Sequence, residues 1–208
     1  MAQSDHFKAK VVLLGEGAVG KTSIVTRYVK NTFNNQHVMT LQAAFLQKTL
    51  NLGGRQITLN LWDTAGQEQY HALGPIYYRG SHAAVVVYDI TDANSFTKAQ
   101  NWVKELRKIV GDGIVVAVVG NKADIIKNRA VEEFQAEEYA ASVGAKHYYA
   151  SAKMNTGIQE LFLDISKRLL LANPQQPPEP LESKRASRAI VVEDEQQQQQ
   201  QDGGGCSC

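Results

Sequence analysis

Short apolar runs alternate along this chain with longer stretches that have helical periodicity. Four of these runs, at residues 11–14, 83–88, 114–119 and 146–150, predict strands. Because the last three follow without regular alternation, we expect them to be buried on both faces, as strands of parallel sheets are. Two further runs, 45–52 and 56–62, are joined by Gly53 and Gly54, and so short a link predicts an antiparallel hairpin.

Helical periodicity is clearest in two stretches, where apolar residues recur at intervals of three and four positions. They are Phe96, Ala99, Trp102, Val103, Leu106 and Ile109, and then Ile158, Leu161, Phe162, Ile165 and Leu169. A further helix is expected to begin near Gly20. Alternation of strands and helices predicts an α/β fold with helices on both faces of the sheet, and the hairpin makes that sheet mixed.

The composition changes near residue 171. The pattern predicts one domain over residues 8–171, after a short N-terminal extension of residues 1–7. Residues 173–180 are rich in Pro and Gln, residues 196–201 are all Gln, and residues 203–205 are all Gly. Such a segment buries too little apolar surface to offset its ordering entropy, so we expect residues 172–208 to be a disordered tail.

Charge and cysteine content exclude several classes of protein. A formal net charge of +1 gives no field strong enough to attract nucleic acid, and we expect no nucleic-acid partner. The N-terminus lacks the apolar core of a secretory signal, and no apolar run is long enough to span a bilayer. The only cysteines, Cys206 and Cys208, argue against a disulfide framework and favour a reducing, cytosolic setting.

Residues 15–22, Gly-Glu-Gly-Ala-Val-Gly-Lys-Thr, match the phosphate-loop pattern G-x-x-x-x-G-K-[ST]. The context also matches, because a strand run precedes the loop and a helical pattern follows it. Glycines let the backbone turn successive N–H groups toward phosphates, at the positive end of the following helix. Lys21 would contact the outer phosphates and the Thr22 hydroxyl would ligate Mg²⁺. The loop alone leaves ATP and GTP open.

The residues Asn121-Lys122-Ala123-Asp124 follow the run at 114–119 and favour guanine. The Asp124 carboxylate can accept hydrogen bonds from the ring N–H and the exocyclic amine of guanine, whereas adenine has no such donor pair. Sites of this kind discriminate by about 10⁴ or more. Ser151-Ala152-Lys153, after the last strand run, would support the base through backbone N–H groups and packing.

The second strand of the hairpin ends in Asp63-Thr64-Ala65-Gly66-Gln67-Glu68. Asp63 is placed to hold Mg²⁺. Gly66 can donate its N–H to a γ-phosphate, and Gln67 can orient the attacking water, which makes it the candidate catalytic residue.

Taken together, G-E-G-A-V-G-K-T, W-D-T-A-G-Q-E, N-K-x-D and S-A-K resemble the motifs of the Ras superfamily of small GTPases, over about residues 8–171. The Rab branch is indicated by similar stretches at 62–63, 77–80 and 87–91, and by the ending Cys206-Ser207-Cys208. Residues 40–45, Thr-Leu-Gln-Ala-Ala-Phe, are similar to the endosomal Rab-five/Rab-twenty-one group, with Rab twenty-one nearest. The resemblance implies a small G domain of the P-loop NTPase class. That fold is a six-stranded mixed sheet with one antiparallel edge strand, flanked by about five helices.

The resemblance also assigns residues. Phe33 would stack on guanine, and Thr40 would meet Mg²⁺ and the γ-phosphate in the GTP state only. An aromatic trio of Phe45, Trp62 and Tyr77 would face effectors. The expected nucleotide site is Gly15, Gly17, Ala18, Val19, Gly20, Lys21, Thr22, Ser23, Phe33, Asn34, Thr40, Gly66, Asn121, Lys122, Asp124, Ser151, Ala152 and Lys153, and the expected Mg²⁺ ligands are Thr22, Thr40 and Asp63.

The implied activity is that of a monomeric switch, a GTPase that cycles between GDP and GTP states and regulates vesicular traffic. No arginine identifies itself as supplied in cis, so we expect slow hydrolysis that an activating protein accelerates. The other implied partners are an exchange factor, effectors, a prenylation escort and a chaperone of the GDP-dissociation-inhibitor type. A nucleotide-locked membrane scaffold with negligible turnover stays open as the alternative.

The last residues do not fit a C-a-a-X box, because Cys206 has only two residues after it. The C-x-C ending resembles the Rab form that receives two geranylgeranyl groups, on Cys206 and Cys208. From residue 172 onward the chain has three Lys/Arg against six Asp/Glu, so no polybasic segment could assist a single lipid. We expect the protein on the cytoplasmic face of endosomal or other vesicular membranes, with a soluble cytosolic pool.

Overall fold

The computed structural model describes residues 6–35, 40, 43–64 and 77–173. Six strands form one sheet in the order β2-β3-β1-β4-β5-β6. The strands are β1 (His6–Leu14), β2 (Ala44–Leu52), β3 (Arg55–Asp63), β4 (Ala83–Asp89), β5 (Val115–Asn121) and β6 (Lys146–Tyr149). Within the described residues there are four α-helices, α1 (Lys21–Lys30), α2 (Ala93–Val110), α3 (Glu133–Ser142) and α4 (Ile158–Ala172), and a 3₁₀ turn at Ile126–Asn128.

The sheet is mixed, as the sequence predicts. β2 lies at one edge and pairs with β3 in antiparallel orientation, from Ala44 opposite Asp63 to Leu52 opposite Arg55. Every other pairing in the sheet is parallel. Gly53 and Gly54 have φ angles of 60° and 85°, the left-handed values that a two-residue hairpin turn requires.

Side chains of the central strands point alternately into two cores. Residues 83, 85 and 87 of β4 join the core covered by α1 and α4. Residues 84, 86 and 88 join the core covered by α2 and α3. Every residue of β4 and β5 is buried, which confirms the expectation drawn from their uninterrupted apolar runs.

Three details differ from the sequence expectations. β6 is an edge strand whose residues are exposed or half-buried, so the prediction of burial on both faces is wrong for this run. Ile109, the last residue of the predicted stripe on α2, is 40% exposed, and its neighbour Val110 packs partly against the core instead. α3 carries no apolar stripe, since only Ala136 and Ala140 are buried, and no pattern predicted this helix.

The chain divides into two units, Met1–Gln176 and Pro177–Cys208, and all described residues lie in the first. β1 begins at His6, two residues before the predicted domain boundary, and α4 ends at Ala172. No helix among the described residues is long and apolar enough to cross a membrane.

Candidate functional site

The predicted motifs meet at one edge of the sheet. The phosphate loop follows β1, Asp63 ends β3, Asn121 ends β5, and Ser151 comes two residues after β6. β1, β3, β5 and β6 all run in the same direction, because every pairing from β3 through β1, β4 and β5 to β6 is parallel. Their carboxyl ends therefore open on the same side, which is where ligands bind in open α/β sheets.

Close packing fixes the path of the phosphate loop. Gly15 has a φ of +135°, and a Cβ atom there would lie 2.2 Å from the carbonyl oxygen of Val87. Gly20 has a φ of +97° and precedes α1, whose first turn has no side-chain cap. Ala18 also has a positive φ, of 61°. Uncapped N–H groups at a helix start and a loop of this shape form a site for anionic groups.

Lys21 is directed back into the loop. Its Nζ donates to the carbonyl oxygens of Gly15 at 2.8 Å and of Glu16 at 2.9 Å, and the residue is 5% exposed. Burial lowers the pKa of Lys21 to about 8, although the nearby carboxylates of Asp63 and Glu16 act in the opposite direction. An anion at this point would favour the charged ammonium, so the side chain fits a phosphate ligand.

The three expected Mg²⁺ ligands lie together although they come from separate segments. Thr22 Oγ1 donates to Asp63 Oδ2 at 2.6 Å and lies 2.6 Å from Thr40 Oγ1. Asp63 is fully buried, and its other oxygen, Oδ1, has no hydrogen-bond partner. Burial raises the pKa of Asp63, against the hydrogen bond from Thr22 and the charge of Lys21.

These residues fit Mg²⁺. One carboxylate and two hydroxyls are hard oxygen ligands, and Mg²⁺ in nucleotide sites takes few protein ligands besides phosphates and waters. A divalent cation would satisfy the orphaned oxygen of Asp63 and compensate its buried charge. The described residues contain no cluster of three or more His, Cys, Asp or Glu side chains that could hold a metal.

Asn121 joins the phosphate loop to the loop after β6. Its Nδ2 donates to the carbonyl oxygen of Val19 at 2.8 Å, and its Oδ1 accepts from the Ala152 N–H at 3.3 Å. The side chain is therefore used to hold two loops in register. This gives the first residue of N-K-x-D a bridging function that its motif position alone does not reveal.

Asp124 is exposed and is held by its neighbour in the other base motif. Ser151 Oγ donates to Asp124 Oδ1 at 2.5 Å and accepts from the Met154 N–H at 3.0 Å. Lys122, in a left-handed backbone conformation, pairs with Asp89 Oδ2 at 2.6 Å. Asp124 is therefore oriented through one carboxylate oxygen, by a hydroxyl of the other base motif.

The sequence motifs do not predict a role for two residues at this site, Asp89 and Arg27. In the sequence, Asp89 is only part of a Rab-like stretch. In the structure its carboxylate pairs with Lys122 and accepts a hydrogen bond from the backbone N–H of Thr91 at 2.9 Å. Arg27 carries no motif at all, and it bonds to the loop that contains Ala152. A partly buried arginine on a helix that carries several other polar residues gives no signal in the sequence.

The remaining expected residues have the following places. Gly17 is half-buried in the loop turn and Val19 is buried, whereas Ser23 and Phe33 are half-buried and Asn34 and Lys153 are exposed. The rings of Phe45 and Trp62 contact each other with centroids 5.4 Å apart, and Tyr77 packs with Trp62 on the core under α2 and α3. Gly66, Gln67, Cys206 and Cys208 lie outside the described residues.

Comparison with known proteins identifies the family. A sequence model of the Ras family matches residues 10–171. The Ras-related protein Rab-21 of Geodia cydonium is 64% identical over 167 residues, which cover 80% of this chain and 73% of that protein. The chain belongs to the Rab branch of the Ras family. Rab-21 of Homo sapiens is 62% identical over 164 residues (79% of this chain, 73% of that protein), and Rab-21 of Dictyostelium discoideum is 60% identical over 162 residues (78% and 76%).

Membership of this branch confirms the resemblance drawn from the motifs, including the likeness to Rab twenty-one. It also confirms the fold class, a small G domain with a mixed six-stranded sheet. As a Ras-family protein the chain is a small GTPase, a class that hydrolyses GTP and binds GTP or GDP with Mg²⁺. Residues 15–22, 63, 121–124 and 151–153 stay the predicted binding site for that nucleotide and Mg²⁺.

Proposed function

We propose that this Rab-branch protein is a switch that hydrolyses its bound GTP and changes its partners in doing so. In the GTP state it recruits effectors on endosomal or other vesicular membranes and thereby regulates vesicular traffic, including endocytosis. In the GDP state it releases those effectors and returns to a soluble cytosolic pool. The likeness to proteins named Rab-21, over about four-fifths of the chain, supports the endosomal assignment.

The meeting of Thr22, Thr40 and Asp63 is the observation that carries the proposal. Thr22 is fixed by α1 and Asp63 by β3, whereas Thr40 lies in the stretch between α1 and β2. The Thr40 hydroxyl is nevertheless within hydrogen-bond distance of Thr22. A segment that carries a ligand of Mg²⁺ and the γ-phosphate can be ordered by that phosphate and released by its loss.

For hydrolysis we assign distinct tasks to the residues of the chain. Lys21 binds the outer phosphates, and Thr22, Thr40 and Asp63 hold Mg²⁺, which when bound neutralises charge on those phosphates. Gly66 donates its N–H to the γ-phosphate, and Gln67 orients the attacking water. No arginine in the sequence identifies itself as one supplied in cis, so we infer a slow intrinsic rate. In the related Ras, an arginine from an activating protein raises the rate by about 10⁵.

Effector recruitment is assigned to the aromatic trio of Phe45, Trp62 and Tyr77. Phe45 is 53% exposed, which is unusual for a phenylalanine and provides an anchor for a partner. Lys10 lies over the Trp62 ring at 5.4 Å and limits the orientations open to that side chain. An exchange factor, an activating protein, a prenylation escort and a GDP-dissociation-inhibitor-type chaperone complete the expected partners. The protein itself acts as a monomer.

Nucleotide analysis tests the proposal. We expect purified protein to contain guanine nucleotide by HPLC, and GTP loaded with Mg²⁺ to convert slowly to GDP. Gln67→Leu should slow conversion at least tenfold without changing GTP affinity. Asp124→Asn should lower GDP affinity by at least 10², since an amide cannot accept both guanine hydrogen bonds. Asp112→Asn is the matched control, because Asp112 is exposed and pairs with Arg107 of α2, and neither residue is assigned to the site.

The same experiment separates the alternatives. Adenine nucleotide in the purified protein would overturn the guanine assignment. Bound GTP that never converts, with or without an activating protein, would instead identify a nucleotide-locked membrane scaffold, and the assignment of Gln67 would be wrong.

A further inference from the structure

Arg27 makes an unusual set of contacts for a side chain in the last turn of a helix. Its Nε donates to the carbonyl oxygen of Ala152 at 2.9 Å and its Nη2 to that of Lys153 at 3.2 Å. Its Nη1 donates to the carbonyl oxygen of Asn31 at 3.0 Å. One planar guanidinium therefore bonds to two successive carbonyls of the S-A-K loop and to the carbonyl of Asn31, the residue that follows its own helix.

The same guanidinium lies over the ring of Phe33, with Cζ 5.8 Å from the centroid. A second link joins the same two segments, because Asn155 Nδ2 donates to Asn31 Oδ1 at 3.3 Å. Under the proposed function, Phe33 and the S-A-K loop both contact guanine. Arg27 thus fixes the separation between two parts of the base site that are more than a hundred residues apart in the chain.

A hydrogen-bonded relay connects Arg27 to the carboxylate that selects the base. The carbonyl of Lys153, which accepts from Arg27, and the N–H of Met154 belong to one rigid peptide plane. That N–H donates to Ser151 Oγ at 3.0 Å, and Ser151 Oγ donates to Asp124 Oδ1 at 2.5 Å. A carbonyl that accepts a charged hydrogen bond polarises its peptide, so the next bond in the chain is strengthened.

We propose that Arg27 is a positioning residue for guanine, acting through the Lys153–Met154 peptide and Ser151 on Asp124; this inference rests on the proposed function. The contacts of Arg27 that carry this proposal are all with protein groups: three backbone carbonyls and the Phe33 ring. It sets the orientation of the Asp124 carboxylate and the place of the S-A-K loop, and through them the lifetime and the base selectivity of the bound nucleotide.

The test measures full-length protein loaded with a fluorescent GDP, in Mg²⁺, by its release into excess GDP. Affinities for GDP and inosine diphosphate are measured in parallel, since inosine lacks the exocyclic amine that Asp124 contacts. Arg27→Ala should raise the release rate at least tenfold and reduce the GDP-to-inosine-diphosphate affinity ratio at least threefold. The single-turnover rate of GTP already bound should change by less than twofold, because the relay does not reach the γ-phosphate.

Arg27→Lys separates charge from geometry. An ammonium is a point charge and cannot bond to the carbonyls of Asn31, Ala152 and Lys153 together, so this variant should resemble Arg27→Ala. It also carries the test if Arg27→Ala fails to fold. Arg55→Ala is the matched control, because Arg55 makes the same type of contact, with the carbonyl oxygens of Leu170 and Asn173 at 3.1 Å each. Its release rate and selectivity should stay within twofold of wild type.

A double-mutant cycle with Ser151→Ala decides whether the relay is real. If Arg27 acts through Ser151, the double variant should have the selectivity ratio of Ser151→Ala alone. Multiplicative effects would overturn the relay, and so would an unchanged ratio in Arg27→Ala or wild-type behaviour of Arg27→Lys. Failure of the proposed function looks different, because wild-type protein would then show no preference for GDP over ADP.

Discussion

Single residues at this site are constrained mostly by the backbone that surrounds them. At Gly15, a side chain would meet the carbonyl of Val87 on the neighbouring strand, and at Gly20 it would meet the Asn121 amide that holds the loop. Gly15 and Gly20 are therefore required for two reasons. Each has a positive φ angle, and each has no space for a Cβ atom. Flexibility alone does not explain them.

We expect Gly15→Ala to destabilise the protein by about 3 kcal/mol or more, because the positive φ and the 2.2 Å approach to Val87 both oppose a Cβ atom. Guanine nucleotide should be lost at the same time, since the loop must move away from β4. Gly53→Ala is the control: Gly53 has a φ of +60°, and a Cβ atom there would have no atom within 4 Å. It should cost only about 1–2 kcal/mol and retain nucleotide. Urea unfolding of the GDP-loaded proteins measures both, and equal losses would refute the steric argument.

At the scale of elements, β4, β5 and β6 are joined by side chains as well as by their backbone. Tyr88 of β4 passes over Gly120 of β5, where a Cβ atom would lie 2.7 Å from its hydroxyl, and reaches His147 Nε2 of β6 at 2.9 Å. The His147 ring packs against Tyr149 at 4.5 Å. Burial, with the charge of Arg129 as a smaller cause, lowers the pKa of His147 to about 4.

This pair predicts a pH dependence of stability. The pKa of His147 is about 6.5 in the unfolded chain and about 4 in the folded protein, so the unfolded chain binds the proton more tightly. The contribution of His147 to the free energy of unfolding is fully present above pH 6.5 and is lost as the pH falls toward 4. The loss in the free energy of unfolding is about 3 kcal/mol in total. His147→Gln keeps a hydrogen-bonding side chain that does not titrate. The difference in unfolding free energy between the two proteins should therefore change by about that amount between pH 7 and pH 4. A constant difference would show that the His147 pKa is not lowered.

How well each element could be predicted depended on how many of its side chains are buried in a core. β4 and β5 pack on both faces, so their apolar runs are uninterrupted and their positions were predicted to within about two residues. β6 is short and lies at the edge, where Lys146 and Tyr148 bond to Asp164 on α4 and Tyr148 packs only partly against the core. α3 buries two alanines, which leaves no hydrophobic stripe to detect.

The site itself divides in the same way. The phosphate loop, Asp63, N-K-x-D and S-A-K are contiguous motifs, and the structure brings them to one edge of the sheet. Arg27 and Asp89 could not be found from the sequence. The hydrogen bonds of Arg27 reach a loop that is far away in the chain, and Asp89 acts by holding another side chain, that of Lys122. Arg27 and Lys153 are separated by 126 positions. Only the fold defines such pairs.

For the molecule as a whole, we expect the proposed nucleotide and Mg²⁺ to contribute to the stability of the fold. Lys21 and Asp63 are buried charges, and burial disfavours the charged form of each. A ligand that supplies phosphate to Lys21 and a cation to Asp63 reverses both penalties. Its binding stabilises the fold by RT ln(1 + [L]/Kd), so stability and switching depend on the same equilibrium.

Under the proposed function, attachment to a membrane is a second equilibrium, and we expect it to depend on lipids at Cys206 and Cys208. One lipid chain gives only marginal binding, with an association constant of about 10⁴ M⁻¹, and stable anchoring requires a second signal. The chain from residue 172 onward has six acidic residues against three basic ones, so it offers no electrostatic substitute. If a lipid supplies that second signal, the second cysteine is the residue that we expect to carry it.

We expect geranylgeranylated wild-type protein to remain on liposomes of neutral and anionic lipid through flotation. Cys206→Ser and Cys208→Ser should each carry one lipid, confirmed by mass spectrometry, and should redistribute to the soluble fraction. Each lost chain removes about 0.8 kcal/mol for every buried CH₂, so the loss should exceed 10²-fold in membrane affinity. Lys184→Glu, which makes the tail more acidic, is the control and should change binding by less than threefold if the lipids dominate. Singly lipidated protein that floats like wild type would mean that some other surface of the molecule binds the membrane.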